Sequence, residues 1–196
     1  MLASHNSGTG YKLAWPWYAH GPINWWARCQ TMTLEEQWAL GTRFFDFRVR
    51  TGHSTSDIIV CHGIAEYDLT LQNALETINS LSSESGDKVY VLIRHDRTCN
   101  QNDLDDVVQA YQSYKETYSS LLYIGLTDAQ EGYTIVEGDV SRPSTREMHG
   151  SVDSGWKKYW PPYLWSLFYN KDEYSEYADY VSDSKKYLML DFLEVN

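Results

Sequence analysis

Phe44-Phe45-Asp46-Phe47-Arg48-Val49 alternates aromatic or apolar side chains with charged ones. A period of two belongs to a β-strand, whose successive side chains point to opposite faces. Asp46 and Arg48 therefore share one face, while Phe45, Phe47 and Val49 share the other. A charged pair backed by aromatic neighbours places the charged face in the interior of a curled sheet. Two readings of Arg48 stay open at this level. It is either half of a structural ion pair with Asp46 or a guanidinium held for a phosphate, which it binds through two parallel hydrogen bonds.

Working outward, Thr33 and Glu36 have capping-box spacing, Leu34 and Trp38 follow at i, i+4, and Gly41 ends that helix. Met1 to Ala3 is a short apolar start running into Ser4-His5-Asn6-Ser7-Gly8. The Trp-, Gly- and Pro-rich stretch from Trp15 to Trp26 predicts a long loop. Downstream, strands are predicted at Asp57–Gly63, Lys88–Arg94, Tyr133–Val136 and Tyr187–Phe192. Helical stripes are carried by Leu71, Ala74, Leu75 and Ile78, and by Leu104, Val107, Val108, Tyr111 and Tyr118. A polar segment (Ser141–Gly155), a second aromatic loop (Trp156–Trp165) and an acidic helix (Asp172–Val181) precede the last strand.

This alternation predicts a mainly parallel sheet covered by helices, an α/β fold of the TIM-type (β/α) barrel. The pattern supplies six strands where a full barrel has eight, and about 200 residues is the lower limit for that fold. The barrel is therefore expected to be small and irregular or incomplete. With no repeat and no linker, residues 1–196 read as a single domain.

The chain carries 16 Lys+Arg against 27 Asp+Glu, a net charge of −11, which argues against nucleic acid as a partner. No apolar run approaches the ~20 residues of a membrane-spanning helix. Cys29, Cys61 and Cys99 are odd in number and have no C-x-x-C spacing, so they read as packed free thiols, with neither a disulfide framework nor a zinc site indicated. Residues 1–10 show no basic and apolar leader pattern, so no signal peptide is visible.

The polar residues His5, Arg48, His62, Arg94 and Asp191 fall at or near the C-terminal ends of the predicted strands, where a (β/α) barrel builds its active site. Two histidines can act as general base and general acid because they titrate near neutral pH. Taken singly, each also fits a hydrogen-bonded loop residue. In a closed barrel the last strand lies beside the first, so Asp191 can reach His5 and set its tautomer. By itself Asp191 also fits a strand-end cap.

Four ordered motifs carry a resemblance: Ala3-Ser4-His5-Asn6-Ser7-Gly8, Gln30 to Gln37, Gly41 to Val49, and Cys61-His62-Gly63. Together they resemble the X-domain of phosphatidylinositol-specific phospholipase C, densely from Leu2 to Leu81 and again from Tyr187 to Glu194. The resemblance implies attack of the inositol 2-hydroxyl on a phosphodiester, giving a cyclic phosphate and diacylglycerol. It implies His5 as general base, His62 as general acid, Arg48 on the phosphoryl oxygens, Asp191 paired with the base, and Asp46 and Asn6 in support. Arg94 fits a basic substrate-binding position. The bacterial members have Asp where this chain has Asn6, and a basic residue is expected near Glu137 and Asp139.

The calcium-dependent members of that family supply an Asn and three acidic residues. Here Asn6 and Asp46 stand at two of those positions, but Arg48 and Arg94 stand at the other two, and two fixed cations repel a calcium ion. The chain is thus expected to need no metal and no cofactor. Eight Trp and 16 Tyr are an excess that must be placed. Trp15, Trp17, Trp25, Trp26 and Trp160 are read either as a rim touching the water–lipid interface or as rings filling a truncated barrel. The implied partner is a phosphoinositide or related phospholipid, with peripheral membrane contact, and the resemblance favours a secreted or extracellular protein. Two other functions stay open, a phosphodiesterase for a soluble glycerophosphodiester and a weakened barrel serving as a structural or binding module.

Overall fold

The computed structural model describes residues 1–15, 21–98, 102–148, 161–164, 166, 167, 170, 176–183 and 185–193. The strands are β1 (Leu2–Ser4), β2 (Leu13–Trp15), β3 (Thr42–Thr51), β4 (Ile58–His62), β5 (Ala65–Thr70), β6 (Tyr90–His95), β7 (Leu122–Asp128), β8 (Thr134–Glu137), β9 (Ser144–Met148) and β10 (Lys186–Leu190). The helices are α1 (Pro22–Ala27), α2 (Leu34–Ala39), α3 (Leu71–Ser85), α4 (Leu104–Thr117) and α5 (Ala178–Ser182), with a short 3-10 turn at Ser7–Gly10.

Local chemistry sets the helix ends as expected. Thr33 accepts a hydrogen bond from Glu36 N and the Glu36 carboxylate accepts one from Thr33 N, closing the capping box of α2. Gly41, at φ +95°, turns the chain out of α2 into β3. Thr70 caps α3, and Leu71, Ala74, Leu75 and Ile78 form its buried stripe. α4 buries Val107 and Tyr111.

β9, β10, β1, β3, β6 and β7 run parallel, in that spatial order. β8 adds to β7 antiparallel. Phe45, Phe47 and Val49 of β3 pack with residues of α3 and α4 in the main core. The opposite face of the sheet carries a second core of Ala3, Phe44, Leu92, Tyr187 and Met189. Phe44 and Tyr90 both meet Tyr187 edge-on, at 5.8 and 5.6 Å between ring centres. Phe44 and Leu92 of this cluster lie in the N-terminal halves of β3 and β6, and Asp46, Arg48 and Arg94 follow them along the same strands.

The sheet is not a closed barrel. Among the described residues β2, β8 and β9 each have a single neighbour and leave the sheet open. The predicted strand Asp57–Gly63 is not a parallel barrel stave. β4 pairs antiparallel with the end of β3, through Val49–Val60 to Thr51–Ile58, and then with β5, which pairs with β2. Two parallel strands were hidden from sequence reading. β7 is interrupted by Gly125, at φ +150°, where a Cβ would meet the Val136 carbonyl at 2.9 Å. β9 reads Ser-Thr-Arg-Glu-Met, with no apolar alternation, inside the segment expected to be a polar loop. The predicted strand Tyr133–Val136 is the antiparallel β8. The expected Trp15–Trp26 loop contains β2 and α1. Of the acidic helix, Ala178–Ser182 is helical, while residues 172–175 lie outside the described residues, as do Cys99, Trp17, Trp156, Trp160 and Trp165.

Candidate active site

β1 and β10 are neighbours in parallel register, so the chain leaves both strands at the same height. His5 and Asp191 are the next residues, and His5 Nδ1 donates to Asp191 Oδ1 at 2.7 Å. Both are buried. This contact fixes the tautomer and leaves Nε2 as the acceptor. Immediately after each member the backbone enters the left-handed region, at Asn6 (φ +45°) and at Phe192 (φ +47°). A bulky residue in that region marks a turn held by its surroundings. Gln30 Nε2 donates to the carbonyls of His5 and Leu190, and Gln30 Oε1 accepts from Leu193 N. Asn170 Nδ2 donates to the carbonyls of Asp191 and Phe192. Buried Gln30 and Asn170 therefore stitch the two turns of the dyad together. Neither was expected in that role. Gln30 stood inside a quoted motif, whereas Asn170 carried no local signal.

His62 ends β4. Its Nδ1 is 2.6 Å from the Ala27 carbonyl, so that nitrogen carries the hydrogen and Nε2 is left available. Burial of the ring, then the positive charge of Arg48, pushes the His62 pKa down to about 4. The turn beyond it is clamped. Arg50 donates to Glu66 Oε1 and to the carbonyls of Gly63 and Ile64, and Gly63 N donates to Asp96 Oδ2. Asp96, Arg50 and Glu66 are supports that the sequence did not single out.

Arg48 and Arg94 are paired residues of β3 and β6. Only one has the carboxylate. Arg94 Nε donates to Asp46 Oδ1 at 2.8 Å, so the expected Asp46–Arg48 pairing is replaced by Asp46–Arg94. The reason is geometric: Asp46 precedes Arg48 by a full pleat on its own strand, whereas the long Arg94 side chain reaches across from the neighbouring strand. Burial opposes the charge on Asp46, but Arg94, His5 and Arg48 together hold its pKa below the usual carboxylate value. Arg94 is raised in turn, chiefly by Asp46. Half-buried Arg48 keeps Nε without a hydrogen-bond partner among the described residues. The site therefore presents one uncompensated guanidinium beside two imidazoles.

Cys29 lies at the centre of this group. Its Sγ accepts from Asn6 Nδ2 at 3.4 Å and sits 3.7 Å from His62 Nδ1. The amide nitrogen of Asn6 thus goes to the thiol, and Oδ1 is buried without a partner among the described residues. His62 Nδ1 is held by the Ala27 carbonyl rather than by a carboxylate. Cys29 and Cys61 are free and buried, and burial raises both thiols well above their usual pKa.

A cleft of about 530 Å³ opens beside Arg94 and is walled by Thr127, Thr134, Glu137 and Asp139. On the other side of the site Trp25 and Trp26 are about half exposed, and Ile64, Tyr163 and Leu167 are also exposed. Trp25 and Tyr163 line a groove with Phe192, the residue after Asp191. Ile64 is two residues beyond His62. Trp15 stacks on His53, with ring centres 4.3 Å apart.

No family model matches the sequence, and no curated protein matches it. Solved structures do. The chain is similar to the phosphatidylinositol-specific phospholipase C from Listeria monocytogenes, with a TM-score of 0.63 and 14% identity over 98% of this chain and 87% of that one. It is similar to a variant of the Staphylococcus aureus phosphatidylinositol-specific phospholipase C, with a TM-score of 0.64 and 14% identity over 98% and 84%. A further Staphylococcus aureus structure, concerned with modulation of that enzyme's membrane binding, matches at 0.63 and 14% over 98% and 85%. The chain therefore shares their fold, here as an incomplete barrel.

Proposed function

We propose that this chain is a phosphodiesterase that cleaves a phosphatidylinositol-like lipid by internal attack of a headgroup hydroxyl. The observation that carries the reading is the buried His5–Asp191 dyad set opposite His62, with unpaired Arg48 beside them. His5 Nε2 takes the proton of the inositol 2-hydroxyl as its oxygen attacks phosphorus, and Asp191 stabilises the imidazolium formed. Arg48 offsets charge gathering on the phosphoryl oxygens. His62 Nε2–H gives its proton to the departing glycerol oxygen. The products are a cyclic 1,2-phosphate and diacylglycerol, and no step needs a metal or cofactor.

His62 is neutral in the empty site at pH 7, so it must gain its proton with the substrate. A phosphodiester anion beside Arg48 cancels the charge that depresses His62 and adds one that favours the imidazolium. The headgroup lies toward Arg94 and the polar cleft, while the exposed Trp25, Trp26 and Ile64 meet the lipid surface. The structural neighbours named above support a phosphatidylinositol-like lipid substrate and membrane contact in general terms.

A second reading, hydrolysis of a soluble glycerophosphodiester, draws on one observation. Glu137 and Asp139 wall the cleft, and among the described residues only Asp139 is balanced by a lysine, Lys115. That wall disfavours a headgroup bearing further phosphates. The deciding experiment is hydrolysis of a chromogenic myo-inositol 1-phosphodiester with EDTA present throughout. Turnover by the wild type, with a loss of about a thousandfold or more in His5→Ala, is expected. Activity that vanishes in EDTA and returns with calcium would sink the metal-free mechanism.

A further inference from the structure

His5, Cys29 and Asp191 each offer one ligand atom, and these atoms all lie within 4.8 Å of one another. The three come from the turn after β1, the segment after α1 and the turn after β10, so no sequence spacing announces them. All three side chains are buried. The set is one imidazole nitrogen, one sulfur and one carboxylate oxygen. Calcium and magnesium need six or more oxygen ligands and are poorly served by it. A tetrahedral ion that accepts nitrogen, sulfur and oxygen together is well served.

We propose that His5, Cys29 and Asp191 bind a thiophilic divalent cation of the zinc class, and that this ion shuts the site. Three protein ligands and one open position is the coordination of an accessible zinc site. Ligand bonds of about 2.0–2.3 Å hold two ligand atoms more than about 3 Å apart, so the 2.7 Å contact between His5 Nδ1 and Asp191 Oδ1 opens as the ion enters. Cys29 loses its thiol proton to solvent on binding, and the ion takes up the His5 and Asp191 groups that otherwise hold each other.

Two further observations favour occupation. Buried Asn6 touches Cys29 Sγ through Nδ2 and leaves Oδ1 unpartnered among the described residues, a spare oxygen beside the set. Cys29 is also anchored on both sides, its N–H donating to Thr9 Oγ1 and its carbonyl accepting from Phe192 N, so the main chain that carries the sulfur is fixed beside the dyad. One feature opposes: Arg48 faces the same space, so the site binds less tightly than a closed structural zinc site. The consequence for activity rests on the phosphodiesterase reading, because the ion occupies His5. The binding itself does not.

The test starts from chelator-stripped protein titrated with Co²⁺ alone, followed by absorption. A sulfur-to-cobalt charge-transfer band is expected in the wild type and in Cys61→Ser. It should be lost in Cys29→Ser and bleached by one equivalent of Zn²⁺. Equilibrium dialysis with Zn²⁺ covers the case in which Cys29→Ser fails to fold: His5→Gln should bind about a hundredfold more weakly, because losing a ligand costs at least what losing a ligand's support costs. Absence of the band, its survival in Cys29→Ser, or unchanged Zn²⁺ binding in His5→Gln would each overturn the site. If the band appears but no phosphodiester is hydrolysed, the metal site stands and the functional reading fails.

Discussion

The two histidines are set differently by their immediate neighbours. His5 rests on a carboxylate, a partner that favours its charged form once it takes a proton. His62 rests on a carbonyl and faces a guanidinium, and it is held neutral with a pKa of about 4. Two pH effects follow. His62 has a folded pKa below its ordinary 6.5, so the unfolded chain takes up the proton first. The stability it contributes is complete above pH 6.5 and is lost as pH falls toward 4. Melting temperature should therefore drop across that window, less so in His62→Gln, and parallel curves would contradict it. In catalysis, kcat/KM reports the free protein and kcat the bound state. The limb belonging to the general acid should lie at higher pH in kcat than in kcat/KM, since bound phosphate raises His62. Coincident limbs would remove His62 from that role.

At the scale of elements, the turn between β4 and β5 decides where His62 points. Arg50 and Glu66 are buried as an ion pair, with side-chain exposures of 1% and 6%. Arg50 also ties down the Gly63 and Ile64 carbonyls. Removing one member of a buried pair strands the other charge and costs about 3–5 kcal/mol, whereas replacing both with apolar residues is often close to neutral. Arg50→Met should lose stability on that scale in urea unfolding, and Arg50→Met with Glu66→Leu should recover most of it. The double variant should still lose turnover, because the Gly63 and Ile64 carbonyls remain without their donor. Full activity in the double variant would show that the clamp does not position His62.

For the molecule as a whole, the relevant surface is the rim formed by α1, the turn after β4 and the region around Tyr163. Trp25, Trp26, Ile64 and Leu167 are exposed there, while the chain as a whole carries a charge of −11. Contact with a bilayer must then come from ring and alkyl insertion rather than from attraction to anionic lipid. Flotation with phosphatidylcholine vesicles should recover the wild type and much less of Trp25→Ala with Trp26→Ala. Adding anionic lipid should not improve recovery. Failure to float, or indifference to the two substitutions, would favour the soluble-substrate reading.

The strand–helix alternation, the capping box at Thr33, the shared face of Asp46 and Arg48 and the set of polar residues at strand ends were all legible in the sequence. Each depends on residues a few positions apart, where period and propensity act directly. The fate of each polar group was not legible. Asp46 belongs to Arg94 rather than Arg48, Asn6 to Cys29, and His62 to the Ala27 carbonyl, because side-chain reach across neighbouring strands has no period in sequence. β7 and β9 were missed for a related reason: a glycine bulge and a strand with four polar residues out of five become strands only when a neighbouring ladder supplies their hydrogen bonds. The approach of Asp191 to His5, 186 positions away, followed from expecting the first and last strands to be neighbours, but the arrival of Cys29 beside them was decided by tertiary structure alone, since the segment after α1 is placed by packing and carries no spacing signal.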